Sequence, residues 1–204
     1  MEEVLREKFL HRIPEVQRED NYLDAAVLVP LVEVAGRTHV LFEVRSKELR
    51  RQPGEISFPG GKIDPGEDAR EAAVREAHEE LQVPLSSIEL LGPLDYILSP
   101  TGVRLFPYVG RVLEPVINAS PAEVDEIFTV PLDELLEMEP QVATMEMGTR
   151  PVGAFPFDKV PGYEVGWKSR RNFYVYFYTY KQYEIWGLTA LVLRNFLQLY
   201  KTLK

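Results

Sequence analysis

The sequence of 204 residues contains no cysteine, which excludes disulfides, thiolate metal ligands and cysteine nucleophiles. It has only three histidines, His11, His39 and His78, and their spacing matches neither a metal site nor a catalytic triad. We therefore assign the histidines no role. The absence of cysteine is also compatible with a reducing compartment.

Long apolar runs are missing as well. The first residues, MEEVLREKFLHRIPEV, alternate acidic and basic side chains and lack the uninterrupted apolar stretch of a signal peptide. No other run reaches membrane-spanning length, and the last residues do not form a peroxisomal targeting signal. We therefore expect a cytoplasmic protein without a membrane partner.

Basic residues are outnumbered, with 23 lysines and arginines against 32 acidic residues and a formal net charge of -9. Such a chain lacks the positive field that displaces phosphate counterions, so we expect no nucleic-acid partner. Hydrophobic residues make up 45% of the chain, as in ordinary globular proteins. The length suits a single domain over residues 1–204, and the composition is compatible with a homodimer.

The first half of the chain predicts a helix, a hairpin and a loop. Residues 1–13 have the spacing of a short amphipathic helix. Strands are predicted over 25–34 and 38–44, and the short connection Ala35-Gly36-Arg37 predicts a hairpin. Residues 45–65 are polar and rich in glycine and proline, so we expect a long functional loop.

The clearest helix of the sequence is predicted over residues 68–81. Further strands are predicted over 88–98, 105–113 and 173–180, and further helices over 132–138 and 188–201. Because strands and helices are mixed without strict alternation, we expect an α+β fold with a mixed β-sheet flanked by helices. Residues 140–171 have no clean periodicity and are interpreted as an insertion or flexible cover.

Three glutamates share one face of the helix predicted over 68–81. At about 100° per residue, Glu76, Glu79 and Glu80 fall within an arc of roughly 100°. Like charges at i, i+4 destabilise an isolated helix by roughly 0.2–0.5 kcal/mol per pair, and a divalent cation would remove that cost. The spacing therefore suits metal-assisted phosphate chemistry. An adjacent apolar stripe suits packing on a sheet and comprises Ala73, Val74, Ala77 and Leu81.

A solvated acidic face is the alternative interpretation, and for a glutamate-rich helix it is the more common one. The preceding segment, Phe58-Pro59-Gly60-Gly61, favours a site, because its glycines allow the backbone to approach a ligand closely.

Six residues of this region stand in the register G-x5-E-x7-R-E-U-x-E-E-x-G-U, where U is a bulky aliphatic residue. They are Gly61, Glu67, Arg75, Glu76, Glu79 and Glu80. This register resembles the Nudix box, and Val83 also matches its last position. Ala77 is smaller than the usual aliphatic residue. Gln82 replaces the usual glycine where a helix often ends with a left-handed residue, so this change concerns local geometry more than metal binding.

The similarity extends towards the N-terminus. Residues 41–61, LFEVRSKELRRQPGEISFPGG, are similar to the pattern L-L-T-x-R-[SA]-x3-R-x3-G-x3-F-P-G-G of the coenzyme A (CoA) pyrophosphatase branch of Nudix hydrolases. The matching positions are Arg45, Ser46, Arg50, Gly54 and Phe58. Phe42 and Glu43 depart from the pattern, which has leucine and threonine there. Segments around 123–132 and 185–190 are also similar to that branch.

The resemblance implies the Nudix fold, an α-β-α sandwich, and a hydrolase that uses Mg2+ or Mn2+. It also implies a small nucleotide substrate, namely CoA or a derivative cleaved to 3',5'-ADP and a 4'-phosphopantetheine product. The implied metal ligands are Glu76, Glu80, Glu79 and the carbonyl group of Gly60. Glu79 is also a candidate for the base that activates water. Arg75 would orient the carboxylates, and Glu67 would support the loop or a metal's water shell.

Other parts of the sequence supply candidate residues. The candidates for binding substrate are Arg45, Arg50, Ser46 and Phe58, although this segment is alternatively a solvated basic loop. Some Nudix enzymes take the general base from a later loop, which makes Glu123, Asp125 and Glu126 candidates; a short acidic strand edge is the alternative. Lys168, Arg170 and Arg171 are more typical of a solvated loop than of a site.

Two alternatives for the function stay open. The first is another Nudix substrate, such as ADP-ribose, NADH or a nucleoside triphosphate, which the Glu43 mismatch favours. The second is a non-catalytic Nudix module that senses a nucleotide, which the intact acidic positions of the box disfavour.

Overall fold

The computed structural model describes residues 22–116 and 118–202, together with Glu7 and Leu10. Apart from those two residues, the helix predicted over 1–13 lies outside the described part of the chain. The strands and helices of the two ranges are β1 (Leu23–Val34), β2 (Arg37–Arg45), β3 (Ile56–Ser57), β4 (Gly60–Lys62), α1 (Ala69–Leu81), β5 (Ile88–Pro93), β6 (Ile97–Leu98), β7 (Val103–Val112), β8 (Val124–Pro131), α2 (Leu132–Glu137), β9 (Gln141–Thr149), β10 (Lys168–Tyr180), β11 (Tyr183–Trp186) and α3 (Gly187–Thr202).

These elements form a large mixed sheet, a smaller antiparallel sheet and helices that pack against them. In the large sheet, β3-β2-β1-β7-β5 form the central path, while β8 pairs with β2, β4 with β1 and β6 with β7. Among the described strands, β1 and β7 form the only parallel pair. The smaller sheet has the order β11-β10-β9. The predicted fold class, a mixed sheet flanked by helices, is confirmed.

The hairpin of β1 and β2 determines where the loop that follows returns to the sheet. Ala35 and Gly36 both have positive φ, as the tightest hairpin turns require. The second half of β1 pairs with β2, whereas its first half pairs with β4, where Val27 lies opposite Gly60. The chain between these partners carries β3, whose Ser57 lies opposite Glu43.

Helix α1 packs against one face of the large sheet. It begins after Asp68, whose side chain caps the helix by accepting a hydrogen bond from the backbone N–H of Arg70 at 2.8 Å. The side chains that it buries are Ala72, Ala73, Ala77, Glu80 and Leu81. Their apolar partners on the sheet are Ala26, Leu28 and Leu41. The predicted apolar stripe is therefore confirmed, except that Val74 is only half-buried.

The opposite face of the sheet forms the larger hydrophobic core with α3, α2 and β11. Val29 and Phe42 alternate along their strands with the residues that face α1, as the two-residue period of a strand requires. On this side they pack with Leu193 of α3 and Ile185 of β11. The sheet is thus covered on both faces by different elements.

Several strands were not predicted from the sequence. The loop expected over 45–65 contains β3 and β4, which have only two and three residues and therefore carry no periodic signal. Residues 140–171 contain β9 and the start of β10, although β9 is exposed along much of both faces and so lacks alternation. The basic residues Lys168 to Arg171 consequently lie in a strand and not in a loop. No helix in the described ranges is long and apolar enough to span a membrane.

Candidate active site

The three glutamates on one face of α1 differ widely in exposure. Glu80 is 4% exposed, while the side chains of Glu76 and Glu79 are 16% and 53% exposed. A solvated acidic face is therefore the wrong interpretation for Glu80 and Glu76. Carboxylates are rarely buried without a partner, so these two indicate a site.

Two glycines place the loop backbone directly against these carboxylates. The backbone N–H of Gly60 donates a hydrogen bond to Oε2 of Glu80 at 2.8 Å. A Cβ atom on Gly61 would lie 2.5 Å from Cδ of Glu76, and one on Gly60 would lie 2.3 Å from the carbonyl oxygen of Ala26. A side chain at residue 60 would therefore clash with the backbone of β1, whereas one at residue 61 would displace the carboxylate of Glu76.

Arg75 connects the loop before α1 to two of the glutamates. It forms a two-pronged contact with Glu67, in which Nε donates to Oε1 at 2.8 Å and an Nη donates to Oε2 at 3.0 Å. Its other Nη donates to Glu76 at 2.8 Å and to Glu79 at 3.3 Å. The hydrogen bonds from Arg75, followed by one from the backbone of Asp64, lower the pKa of Glu67 to about 2. Glu67 is thus an ionised anchor for this loop.

A further buried carboxylate, Glu43, lies beside this cluster and was not identified from the sequence as a site residue. It is fully buried on β2, and its Oε1 accepts a hydrogen bond from Ser57 Oγ at 2.8 Å. Its carboxyl group also interacts with that of Glu80. The sequence did contain one sign of this residue's importance, because Glu43 stands where the CoA pyrophosphatase pattern has threonine. Glu123, just before β8, is half-buried and its charge also acts on Glu43, Glu76 and Glu80.

The cluster carries more negative charge than its surroundings neutralise. Burial raises the pKa of Glu80, and the charges of Glu43, Glu76 and Glu123 raise it further. Burial is also the main cause of the raised pKa of Glu43 and of Glu76. Protons or a divalent cation would relieve this repulsion, and oxygen donors are the ligands that Mg2+ prefers.

No group of three or more metal-ligating side chains in the described ranges is already arranged around a common point. Arg75 donates hydrogen bonds to two of the candidate ligands, Glu76 and Glu79. The donor set nevertheless fits a divalent cation, because it consists of carboxylates and includes a buried oxygen without a partner, Oε2 of Glu43.

The residues predicted to bind substrate are not all in one place. Arg45 is half-buried, and its Nε is buried without a hydrogen-bond partner. Ser46 is buried and its backbone N–H donates to the carbonyl group of Glu123 at 2.8 Å, which ties the end of β2 to that segment. Arg50 is exposed. Phe58 is 2% exposed and stacks on Phe42 with 4.9 Å between ring centroids, so its ring belongs mainly to the core.

A cavity of about 610 Å3 adjoins the carboxylate cluster. Three of its lining residues also contact or neighbour the cluster, namely Arg45, Ser57 and Gly60. Its other walls come mostly from apolar residues of β1, β7, β10 and α3, such as Val27, Leu105, Val175, Leu188 and Val192. Arg171 of β10 also lines the cavity, and the prediction that it lies in a loop was wrong, because it lies in a strand.

The segment 186–190 contains the end of β11 and the start of α3, which packs on the core. Gly187 begins α3 with a φ of +64°, and Ala190 is fully buried in the core. The hydroxyl group of Thr189 donates to the carbonyl group of Ile56 at 3.0 Å, so the start of α3 is tied to β3. This contact joins two walls of the cavity, because Thr189 and Ile56 both line it.

Comparison with known proteins agrees with this arrangement. The NUDIX domain model matches residues 22–150. The uncharacterized Nudix hydrolase NudL of Photorhabdus laumondii is 35% identical over 188 residues, which cover 91% of this chain and 89% of that protein. Nudix hydrolase 3 of Caenorhabditis elegans is 43% identical over 118 residues, or 55% of this chain and 49% of that protein, so the match spans about half of this relative.

A solved Ap4A hydrolase from C. elegans matches 56% of this chain and 84% of its own length, with a TM-score of 0.47 and 22% identity. The family match and the similarity to NudL, which extends over almost the whole chain, lead to one conclusion. The chain belongs to the Nudix hydrolase family and is an enzyme that hydrolyses diphosphate linkages.

Proposed function

We propose that this enzyme hydrolyses the diphosphate of CoA or a CoA derivative. Water attacks one phosphorus atom, the bond to the bridging oxygen breaks, and the products are 3',5'-ADP and a 4'-phosphopantetheine species. The observation that carries this proposal is the largely apolar cavity that adjoins the carboxylate cluster at Arg45, Ser57 and Gly60. Its volume of about 610 Å3 is in the range of small-molecule sites.

Nudix hydrolases generally require Mg2+ or Mn2+. In this chain, Glu76, Glu80 and the carbonyl group of Gly60 would hold the cation, with Glu79 beside them. The cation would lower the pKa of an attacking water and offset the charge that develops on the diphosphate. The raised pKa values of Glu76 and Glu80 support this assignment, because their main cause is burial, and a cation beside a buried carboxylate stabilises its charged form.

The remaining polar residues of the cluster have separate roles in this proposal. Arg75 orients Glu76 and Glu79, and its contact with Glu67 fixes the loop before α1. Glu79 is the best placed general base, because it is the most exposed of the three glutamates on the acidic face. Glu123 is the second candidate, since its charge acts on the same cluster.

Arg45 is the residue that we assign to the substrate's phosphate groups. Its buried Nε lacks a partner, and a guanidinium group can bind phosphate through two parallel hydrogen bonds. Ser46 supports this position through its backbone contact with Glu123. Phe58 lies in the core and forms part of the cavity wall. Arg50 is exposed, and we propose that it contacts a phosphate group of the substrate from the surface.

The pantetheine arm is the part of CoA that we place in the cavity. This arm is long, and methyl and methylene groups separate its two amides and its hydroxyl group, so these apolar parts suit walls such as Val27 and Leu188. We further propose that residues 1–204 form one Nudix domain in which the segment 140–171 covers the cavity. Met145 and Arg171 support that role, since they line the cavity at the two ends of the segment.

ADP-ribose and NADH are the alternative substrates. Beyond the ADP moiety, both carry further ribose hydroxyl groups. Burying a hydroxyl group without a hydrogen-bond partner costs free energy. The apolar walls favour CoA over both, whereas the departure of Glu43 from the branch pattern favours another dinucleotide. A nucleotide-sensing role without catalysis is the alternative from another class.

The experiment that tests the proposal compares kcat/KM for CoA, ADP-ribose and NADH with Mg2+ or Mn2+, with EDTA as control. We expect the highest kcat/KM with CoA. A preference for ADP-ribose or NADH would keep the diphosphatase chemistry but contradict the assignment of the cavity to pantetheine. Tight nucleotide binding without turnover of any substrate would instead indicate a sensor.

A further inference from the structure

Glu43 has an environment that a structural residue of a sheet does not require. Its side chain is fully buried near the end of β2, in a position where burial alone favours an apolar residue. Oε1 accepts a hydrogen bond from Ser57, whereas Oε2 receives none in the described ranges unless Glu80 is protonated. A buried carboxylate oxygen without a donor costs free energy, so it indicates a missing partner.

The groups around Glu43 show what kind of partner is missing. The carboxyl group of Glu80 lies within hydrogen-bonding range, and the negative charge of Glu123 also acts on Glu43. Arg45 supplies positive charge, but its buried Nε has no hydrogen-bond partner. Oε2 of Glu43 is therefore an acceptor that lacks a cation, and Nε of Arg45 nearby is a donor that lacks an anion.

A divalent cation with a bound phosphate group satisfies both requirements at once. A cation neutralises the repulsion between Glu43 and Glu80, and a phosphate oxygen on that cation accepts from Arg45. Both atoms that lack a partner, Oε2 of Glu43 and Nε of Arg45, would gain one in this arrangement.

We propose that Glu43 is a further carboxylate of the metal centre, whose Oε2 binds the cation together with Glu80. This inference rests on the proposed metal-dependent function. It adds to the Nudix box a ligand from β2, at the position where the CoA pyrophosphatase pattern has threonine. It also explains the close approach of Ser57, which holds Oε1 and leaves Oε2 directed at the cluster.

A second role for Glu43 has to be distinguished from this one. A permanently protonated Glu43 could donate a hydrogen bond to Glu80 and merely position it. Glutamine reproduces that donor with its amide group and has nearly the same volume. Glu43→Gln therefore preserves a positioning role but removes a charged ligand.

The test is a calorimetric titration of the full chain with Mn2+ alone. We expect Glu43→Gln to raise the Kd for Mn2+ by about ten-fold or more, as loss of groups that support a metal site does. Glu43→Thr, which restores the residue of the branch pattern, should weaken Mn2+ binding in the same way and provides a second variant if glutamine impairs folding. Glu89→Gln is the matched control, because Glu89 is an exposed glutamate on β5.

Thermal unfolding provides a readout that is independent of catalysis. Without metal, Glu43→Gln should be at least as stable as the wild type at pH 8, because it removes a buried charge from a repelling pair. The increase in Tm on adding Mn2+ should be smaller in Glu43→Gln than in Glu89→Gln.

The outcomes separate this inference from the proposed function. Binding of Mn2+ by the wild type, with an unchanged Kd in both Glu43 variants, would overturn the role of Glu43 and leave the proposed function intact. Failure of the wild type itself to bind Mn2+ would overturn both.

Discussion

The carboxylate of Glu76 packs so closely on the backbone of Gly61 that a Cβ atom at residue 61 would lie 2.5 Å from its Cδ. The position of Glu76 is therefore determined by β4 as well as by its own helix. Arg75 holds the same carboxylate from the other direction by donating to Oε1 at 2.8 Å. Glycine at 61 is thus a requirement of the site's geometry.

Gly61→Ala should lower kcat by about 100-fold, because a displacement of the order of 1 Å at a reacting centre has an effect of that size. The fold should persist, since the methyl group meets the movable end of a side chain. Steady-state kinetics and a thermal melt measure the two effects. Gly92→Ala is the control, because a Cβ there meets nothing within 4 Å. Equal kcat for both variants would contradict the account.

Gln82→Gly should stabilise the protein by about 0.5–1 kcal/mol. Gln82 ends α1 with a φ of +52°, a conformation that costs non-glycine residues roughly 1–2 kcal/mol. Glycine removes this strain, but its greater conformational freedom in the unfolded chain cancels part of the gain in stability. Urea unfolding measures the difference. Gln82→Ala keeps the Cβ atom and should show no such gain. If the alanine and glycine variants are equally stable, strain at this residue is not the cause.

The ion pair between Glu67 and Arg75 predicts a specific dependence of stability on pH. Because the pKa of Glu67 is lowered from 4.5 to about 2, its contribution is fully present above about pH 4.5 and is lost as the pH falls towards 2. Glu67→Gln should therefore be less stable than the wild type at pH 6, and the difference should shrink between pH 4.5 and 3. Urea unfolding across this range measures it; a constant difference would contradict the assigned pKa.

Arg45→Lys should lower kcat/KM for CoA by about ten-fold or more, because lysine cannot reproduce the two parallel hydrogen bonds of a guanidinium group to phosphate. The charge is unchanged, so the loss would report geometry. Arg111→Lys serves as the control, since Arg111 is an exposed residue of β7 that pairs with Glu89. Similar kinetics in both variants would remove Arg45 from the phosphate site.

The sequence predicted the parts of the site that depend on local spacing. Glu76 and Glu80 were assigned to one face of a helix from their separation alone, and Asp68 and Gln82 bound that helix as expected. The hairpin at Ala35-Gly36 also followed from local turn chemistry. Such features depend on neighbouring residues, so a single sequence contains them.

The features that the sequence did not reveal depend on contacts between distant segments. Glu43 and Glu80 are 37 residues apart, and they meet because α1 packs against the sheet that contains β2. The cavity likewise combines β1, β7, β10 and α3, and Arg171 reaches it from a strand that was interpreted as a loop. Phe58 matched a motif but packs mainly in the core.

We propose that the buried carboxylate of Glu80 supports metal-dependent hydrolysis of a diphosphate. The most direct test measures release of 3',5'-ADP from CoA by wild type and Glu80→Gln, with Mg2+ or Mn2+ and with EDTA, after circular dichroism has shown that both are folded. We predict release by the wild type only with metal, and a loss of about 100-fold or more in Glu80→Gln. Near wild-type turnover in a folded Glu80→Gln variant would contradict the account.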